Sequence, residues 1–390
     1  MTMRDEFSMV DNRHPIPNIA GKVLTVNGPI ESQELGVTAT HEHLFIDIRK
    51  THYPHEKRIN IPGKSEPFIT SDEFPATELA VWEAKLGPGN LQMAIDGEPI
   101  SDNYVLADET MAIREVERFR RLGGNSIVDV TCIGQKRDPA ALKRVSDATG
   151  LNIVMGTSHY QKAYHPEDMD QRTVEDLTAE YVRDVVEGVY DTGIRSGVIG
   201  EVGVNGSPLS DNEIKVIRAS ARASVITGAP ISFHRGGNVD ERHTVLDIVV
   251  EEEMSLSRVI LGHQDELSLR LPLVRELLER GVWVQFDLIG RQALQPPFPD
   301  NPYHSDRSLT EDIRDAVVRL VQDGYEDRLL LSQDVCRKAH LTCFGGFGYA
   351  FILERFLPEL REYGLTEDQN DKLMRLNPAS ALQFTEPYAP

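Results

Sequence analysis

The chain is expected to fold as a (β/α)8 barrel with a long insertion after the first strand. Three observations predict this. Eight short apolar, β-branched runs recur along the 390 residues, at 36–40, 126–131, 152–156, 198–202, 230–233, 258–262, 282–286 and 328–333. Segments of helical period separate most of them, the pattern of strands covered on both faces. The residues able to do chemistry lie where those runs end, which is where a barrel of this kind gathers its active site.

Taken in order, residues 1–20, with Pro15 and Pro17, read as a loose arm ahead of a single domain at 21–390. Residues 21–28, bounded by glycines, suit a small hairpin closing the base of the barrel. Residues 49–105 are rich in proline, glycine and charge and too long for an ordinary strand-to-helix connection, so they read as a lid or a subunit contact on the active-site face. Ser210-Asp-Asn-Glu213 is a capping box opening a helix that stops near Gly228. Ser308-Leu-Thr-Glu311 does the same before Ile313, Ala316, Val317, Leu320 and Val321, a single apolar helix face stopped by Gly324.

Composition narrows the function. With 41 Lys and Arg against 62 Asp and Glu, the net charge of −21 repels phosphate backbones and anionic membranes, so neither nucleic acid nor a membrane is expected as a partner. No start with the pattern of a signal peptide and no apolar run of spanning length is present, which reads as a soluble, cytoplasmic protein. Cys132, Cys336 and Cys343 form no C-x-x-C pair and read as reduced thiols.

The first run ends in His41-Glu42-His43, the fourth in Gly200-Glu201, the fifth in His234, the sixth in His263 and the eighth in Asp334. Strand side chains alternate, so His41 and His43 face the barrel mouth together while Glu42 faces away. Neutral imidazoles with carboxylates suit zinc first, with manganese, cobalt or iron as alternatives. Four histidines, a glutamate and an aspartate exceed what one tetrahedral ion needs. Two ions, about 3.5–4 Å apart and sharing a carboxylate, fit the count better.

These residues sit in motifs, "GKVLTVNGPIESQELGVTATHEHL", "GVIGEVGVNG", "ISFHRGG", "VILGHQDE" and "LLLSQDVC", whose order and spacing resemble the phosphotriesterase family of the amidohydrolase superfamily, and most closely its phosphotriesterase-related branch. The resemblance runs from about Gly21 to "NPASAL" near the C-terminus. It implies that His41, His43 and Asp334 hold one metal, that His234 and His263 hold the other, and that Glu201 bridges them where the founding enzymes carry a carboxylated lysine. It also implies a homodimer. Asp287 matches a family acid near the substrate, but the histidine that follows it in organophosphate hydrolases is Leu288 here. Tyr160 matches a position where lactonase-like members carry a tyrosine beside the metals.

The expected activity is hydrolysis of a carboxyl bond in a small molecule, an amide, lactone or ester. A hydroxide shared by two ions would attack, with Asp334 moving the proton and Tyr160 supporting the carbonyl oxygen. Arg235, Arg337 and Lys338, cations in an acidic chain, are candidates to clamp an acidic end of the substrate. Phosphotriester or phosphodiester hydrolysis with the same metals is the alternative, and a barrel that only binds small molecules is a third reading.

Overall fold

The computed structural model describes residues 16–52, 57–59, 68–70, 76–235, 239–291 and 308–388. Eight strands lie side by side in chain order, all parallel: β1 (Thr38–Glu42), β2 (Ser126–Asp129), β3 (Asn152–Thr157), β4 (Val198–Val204), β5 (Ile231–Arg235), β6 (Val259–Leu261), β7 (Trp283–Phe286) and β8 (Leu329–Leu331). This is the barrel that the sequence predicts. Each apolar run holds one strand, with ends displaced by a residue or two because ladder hydrogen bonds, not composition, set where a strand stops. The displacement matters at β1. It runs on through Glu42, so His41 sits inside the ladder instead of after it.

Alternation along the strands builds two layers of core. Val128, Val154, Val198, Ile260 and Leu330 form one buried cluster with Val23, while their neighbours Ile231, Phe233, Val259, Leu261, Leu329 and Leu331 pack with the surrounding helices. Each such fully buried aliphatic side chain contributes about 1.5–3 kcal/mol. Helices Asp211–Thr227 and Leu309–Gln322 open with the expected capping boxes, Ser210 with Glu213 and Ser308 with Glu311.

β1 and β8 are joined largely through side chains. His41 N donates to Ser332 Oγ at 2.9 Å, Asp334 N donates to His41 O at 3.1 Å, and Thr40 Oγ1 donates to Leu331 O at 3.3 Å. This seam brings the ends of the first and last strands together, with His41 and Asp334 293 positions apart in the chain (334 − 41).

The hairpin at the base is Lys22–Thr25 paired with Gly28–Glu31. It is seated by Val26 N donating to Ile153 O at 2.8 Å and by the reciprocal pair Gly21 N to Phe384 O and Phe384 N to Lys22 O, both 2.8 Å. Gly197, just ahead of β4, lets the hairpin come this close, since a Cβ there would stand 2.0 Å from Leu24 O.

Of the arm at 1–20, residues 1–15 lie outside the described residues; Ile16 and Ile19 rest against the core. Within the insertion at 49–105, residues 53–56, 60–67 and 71–75 lie outside them. The described remainder includes helices Ala76–Glu83 and Leu91–Ile95. Leu86, Ala94 and Ile100 from this region bury themselves against Ala339 in the loop after β8. Among the described residues no helix is long and apolar enough to cross a membrane.

Gly197→Ala should push the hairpin off the barrel base and lower stability by about 1–3 kcal/mol. Urea unfolding would show this as a lower midpoint at constant slope; an unchanged midpoint would mean that the hairpin is not seated as described.

Candidate metal centre

Alternation along β1 sends His41 and His43 to the same side, and each ring is held at Nδ1 so that Nε2 is left for other work. His43 Nδ1 lies 2.9 Å from Thr131 Oγ1. His41 Nδ1 lies 3.0 Å from Gln285 Nε2 and 3.2 Å from Asp287 Oδ2. His41 is fully buried, and its Nε2 has no hydrogen-bond partner.

Glu42, between them, turns the other way. Its carboxylate accepts from Ser332 Oγ at 2.8 Å, Gln333 N at 2.9 Å and Val335 N at 2.8 Å. It therefore ties β1 to the turn that carries Asp334. Burial outweighs these donors and pushes its pKa up to about 8.

Glu201 enters from an irregularity in β4, whose pairing with β5 changes register between Ile199 and Val202. Gly200 precedes it with φ +147, and a Cβ there would meet Ser232 O at 2.4 Å, so only glycine lets β4 pass β5 this closely. Three imidazoles converge on one oxygen of Glu201: His234 Nδ1 at 2.6 Å, His263 Nε2 at 2.9 Å and His41 Nε2 at 3.4 Å from Oε1. Burial alone would raise the Glu201 pKa, but His234 and His41 overcome it and hold it well below the usual carboxylate range.

His263 follows β6 at φ +52, a left-handed conformation uncommon for a side chain of this size. Asp287 Oδ1, 2.6 Å from His263 Nδ1, fixes the ring, and both Asp287 oxygens accept from His263 N. Burial opposes charge on His263, yet Asp287 and Glu201 outweigh it and raise its pKa well above the ordinary value. Asp287 is itself fully buried behind His41 and His263. It does not line the cavity at the centre, contrary to the expectation that it meets substrate.

Asp334, at φ +47 after β8, sets Oδ1 3.3 Å from His43 Nε2 and 4.0 Å from His41 Nε2. Its other oxygen meets the Arg291 guanidinium, whose Nη2 also donates to Asp334 O at 2.8 Å. Burial works to raise the Asp334 pKa, but the Arg291 charge and the His43 hydrogen bond hold it far below the usual range.

All six expected ligands thus meet at one end of the barrel. The clusters His41, His43, Asp334 and His41, Glu201, His263 each bring their ligating atoms within 4.8 Å of one another. The donor set fits a divalent cation of the zinc type, and the buried, partnerless His41 Nε2 aimed between Glu201 and Asp334 is the observation that supports it.

A cavity of about 500 Å³ opens beside His234, His263 and Asp334. Tyr160 Oη stands 3.0 Å from His234 Nδ1, and burial raises its pKa well above that of a free phenol, so it stays a donor. Arg235 lines the cavity but is paired with Glu266 at 3.0 Å. Lys338 faces a neighbouring cavity and pairs with Asp102 at 3.0 Å, so the expected clamp role does not fit its position. Arg337 does line the cavity at the metal centre. The sequence reading missed Arg291, Gln285, Thr131, Asp265 and Asn103. Arg291, Gln285 and Thr131 lie in none of the quoted motifs and reach the site only through the ring of strands; Asp265, two residues after His263 in "VILGHQDE", accepts from Asp287 N at 3.2 Å and Leu288 N at 3.0 Å, and Asn103 comes from the insertion.

Comparison with known proteins agrees with this geometry. The phosphotriesterase family model matches residues 21–382. An N-acetyltaurine hydrolase of Tetraodon nigroviridis is 32% identical over 372 residues, covering 94% of this chain and 99% of that one. The crystal structure of a resiniferatoxin-binding protein from Rhodobacter sphaeroides superposes with a TM-score of 0.82 at 35% identity, over 95% of this chain and 98% of that one. A phosphotriesterase homology protein from Escherichia coli, crystallised with phosphate in its active site, gives a TM-score of 0.69 at 26% identity, over 90% and 99%. A barrel with these histidines and carboxylates at its strand ends, matched by relatives along nearly all of its length, belongs to the phosphotriesterase family and is one of its hydrolases.

Proposed function

We propose that the chain hydrolyses a carboxyl bond of a small molecule with the help of two divalent ions, and that an N-acyl amide is its substrate. The observation that carries the metal-dependent reading is the convergence of His41 Nε2, buried and partnerless, with Glu201, His43 and Asp334. The amide preference over lactone and ester rests on the N-acetyltaurine hydrolases among the relatives.

His41, His43 and Asp334 would hold one ion and His234 and His263 the other, with Glu201 between them. Such ions lower the pKa of water towards about 7 and polarise a carbonyl oxygen, with zinc the first expectation. The chain's own groups do the rest. Tyr160, kept protonated by burial, donates to the carbonyl oxygen as negative charge develops there. Asp334, kept ionised by Arg291, takes the proton of the attacking water and delivers it to the leaving nitrogen. Asp287 acts one step removed, fixing the tautomer of His263 and the tilt of His41 through their Nδ1 atoms.

Asp287→Asn should weaken metal binding by about 10–100-fold, the range seen when a ligand's supporting hydrogen bond is lost. Competition with a chromophoric chelator would measure it, and wild-type affinity would remove Asp287 from this role. Chelation should abolish turnover of N-acyl amino acids and N-acyl taurines, and zinc or manganese should restore it equally well with or without bicarbonate, because Glu201 is a carboxylate already. A screen of amides, lactones and aryl esters with no metal-dependent turnover would overturn the proposal. Paraoxon turning over faster than every carboxyl substrate would reverse the choice of bond.

A further inference from the structure

The insertion after β1 contributes Ala94, Ile95, Asp96, Gly97 and Asn103 to the lining of the cavity at the candidate metal centre. Asn103 is fully buried and lines that cavity. Its orientation is not arbitrary. Oδ1 accepts from Ala339 N at 2.9 Å, and a backbone N–H can only donate, so the other terminal atom must be the amide nitrogen. That Nδ2 has no hydrogen-bond partner. A buried donor left unsatisfied is destabilising, and a bound acceptor would relieve that penalty.

A cation that lines the same cavity has an unusual setting. Arg337 lies two residues before Ala339, and its guanidinium is 5.2 Å from the ring centre of Tyr104, the residue after Asn103. Arg337 Nη2 lies 3.1 Å from His52 Nε2, and His52 stacks on the other partner, Tyr104, at 4.0 Å. The tautomer of His52 follows from its second contact. Ile48 O, 2.8 Å from Nδ1, can only accept, so Nδ1 carries the proton and Nε2 accepts from Arg337. Burial, with the Arg337 charge beside it, holds the His52 pKa down at about 4, so the ring brings no second charge. Among the described residues no carboxylate pairs with Arg337, and its Nε is buried without a partner. The neighbouring cations each have a carboxylate partner: Arg235 shares Glu266 with Arg242, Lys338 shares Asp102 with Lys85, and Arg291 pairs with Asp334.

We infer that Asn103 is a specificity-determining residue, which together with Arg337 binds an acidic group, a sulfonate or carboxylate, on the amine half of the substrate. The inference rests on the amide-hydrolase reading above and assigns to the insertion a part of the substrate site. Arg337 supplies charge, and Asn103 supplies a fixed neutral donor that an oxygen of the acid can accept. A carboxylate put in place of Asn103 would face that acid with like charge.

The test uses the full chain loaded with zinc. Asn103→Asp keeps an oxygen for Ala339 N and turns the donor into a second oxygen. Taurine serves as the probe, its Kd measured by calorimetry, alongside KM for an N-acyl taurine and for an uncharged N-acyl amide of similar size. Taurine Kd and the ratio of the acidic to the uncharged KM should both rise about 10–100-fold, as expected for losing a hydrogen bond to a charged group. Should the aspartate variant fail to fold, Asn103→Ser carries the same comparison, since its shorter side chain withdraws the donor. Equal changes in both KM values would mark Asn103 as structural and overturn the inference, as would an unchanged ratio. If the wild type cleaves no amide yet taurine binds and the variant weakens it, the function proposal fails while the subsite stands. If amides are cleaved and taurine binding ignores Asn103, the subsite fails alone.

Discussion

One carboxylate oxygen organises this site. Glu201 Oε1, almost wholly removed from water, is approached by His234, His263 and His41 from three different strands. An isolated carboxylate could not be buried so deeply without several kcal/mol of penalty. The arrangement exists because β4, β5, β6 and β1 each deliver a partner, and because Gly200 lets β4 run close enough to β5 to aim the glutamate inward. The barrel is thus the means by which residues 29 to 222 positions apart in the chain meet at one atom.

The polar residues around it divide into those that face the centre and those that hold the facing ones in place. Glu42 and Asp287 belong to the second kind. Glu42 accepts three hydrogen bonds from 332–335 and so fixes the turn that carries Asp334. Asp287 reaches two histidines at once. Both are fully buried acids held by backbone or side-chain donors, the pattern expected where side-chain orientation must be held tightly. The left-handed backbone at His263 and Asp334 is part of the same cost of pointing side chains into a crowded mouth.

The cavity beside the centre has a wall from outside the barrel repeat. Residues 76–105 pack on the loop after β8 through Leu86, Ala94 and Ile100, with Tyr104 under the Arg337 guanidinium and Asn103 in the wall of the same cavity. Under the proposed function, chemistry and selectivity come from different parts of the chain. The strand ends would supply the groups that act on a carbonyl, while the insertion and the loop after β8 would shape what can lie next to them.

The eight runs, the capping boxes at Ser210 and Ser308 and the histidines and carboxylates that meet at the barrel mouth were legible in the sequence, because each depends on local periodicity or on a residue type at a strand end. Lys338 and Asp287 show where that reasoning stopped. Lys338 follows Arg337 directly, yet the turn sends its ammonium to Asp102 in another cavity. Asp287 ends a strand like a ligand but sits fully buried behind the histidines, its oxygens turned to His41 Nδ1 and His263 Nδ1. By itself the sequence determined the barrel and the kind of atoms at its mouth. Which of those atoms face one another, which cation is left unpaired, and which residue of the insertion reaches the cavity were decided only by tertiary structure, because distances across a closed ring are set by strand register and loop packing and not by spacing along the chain.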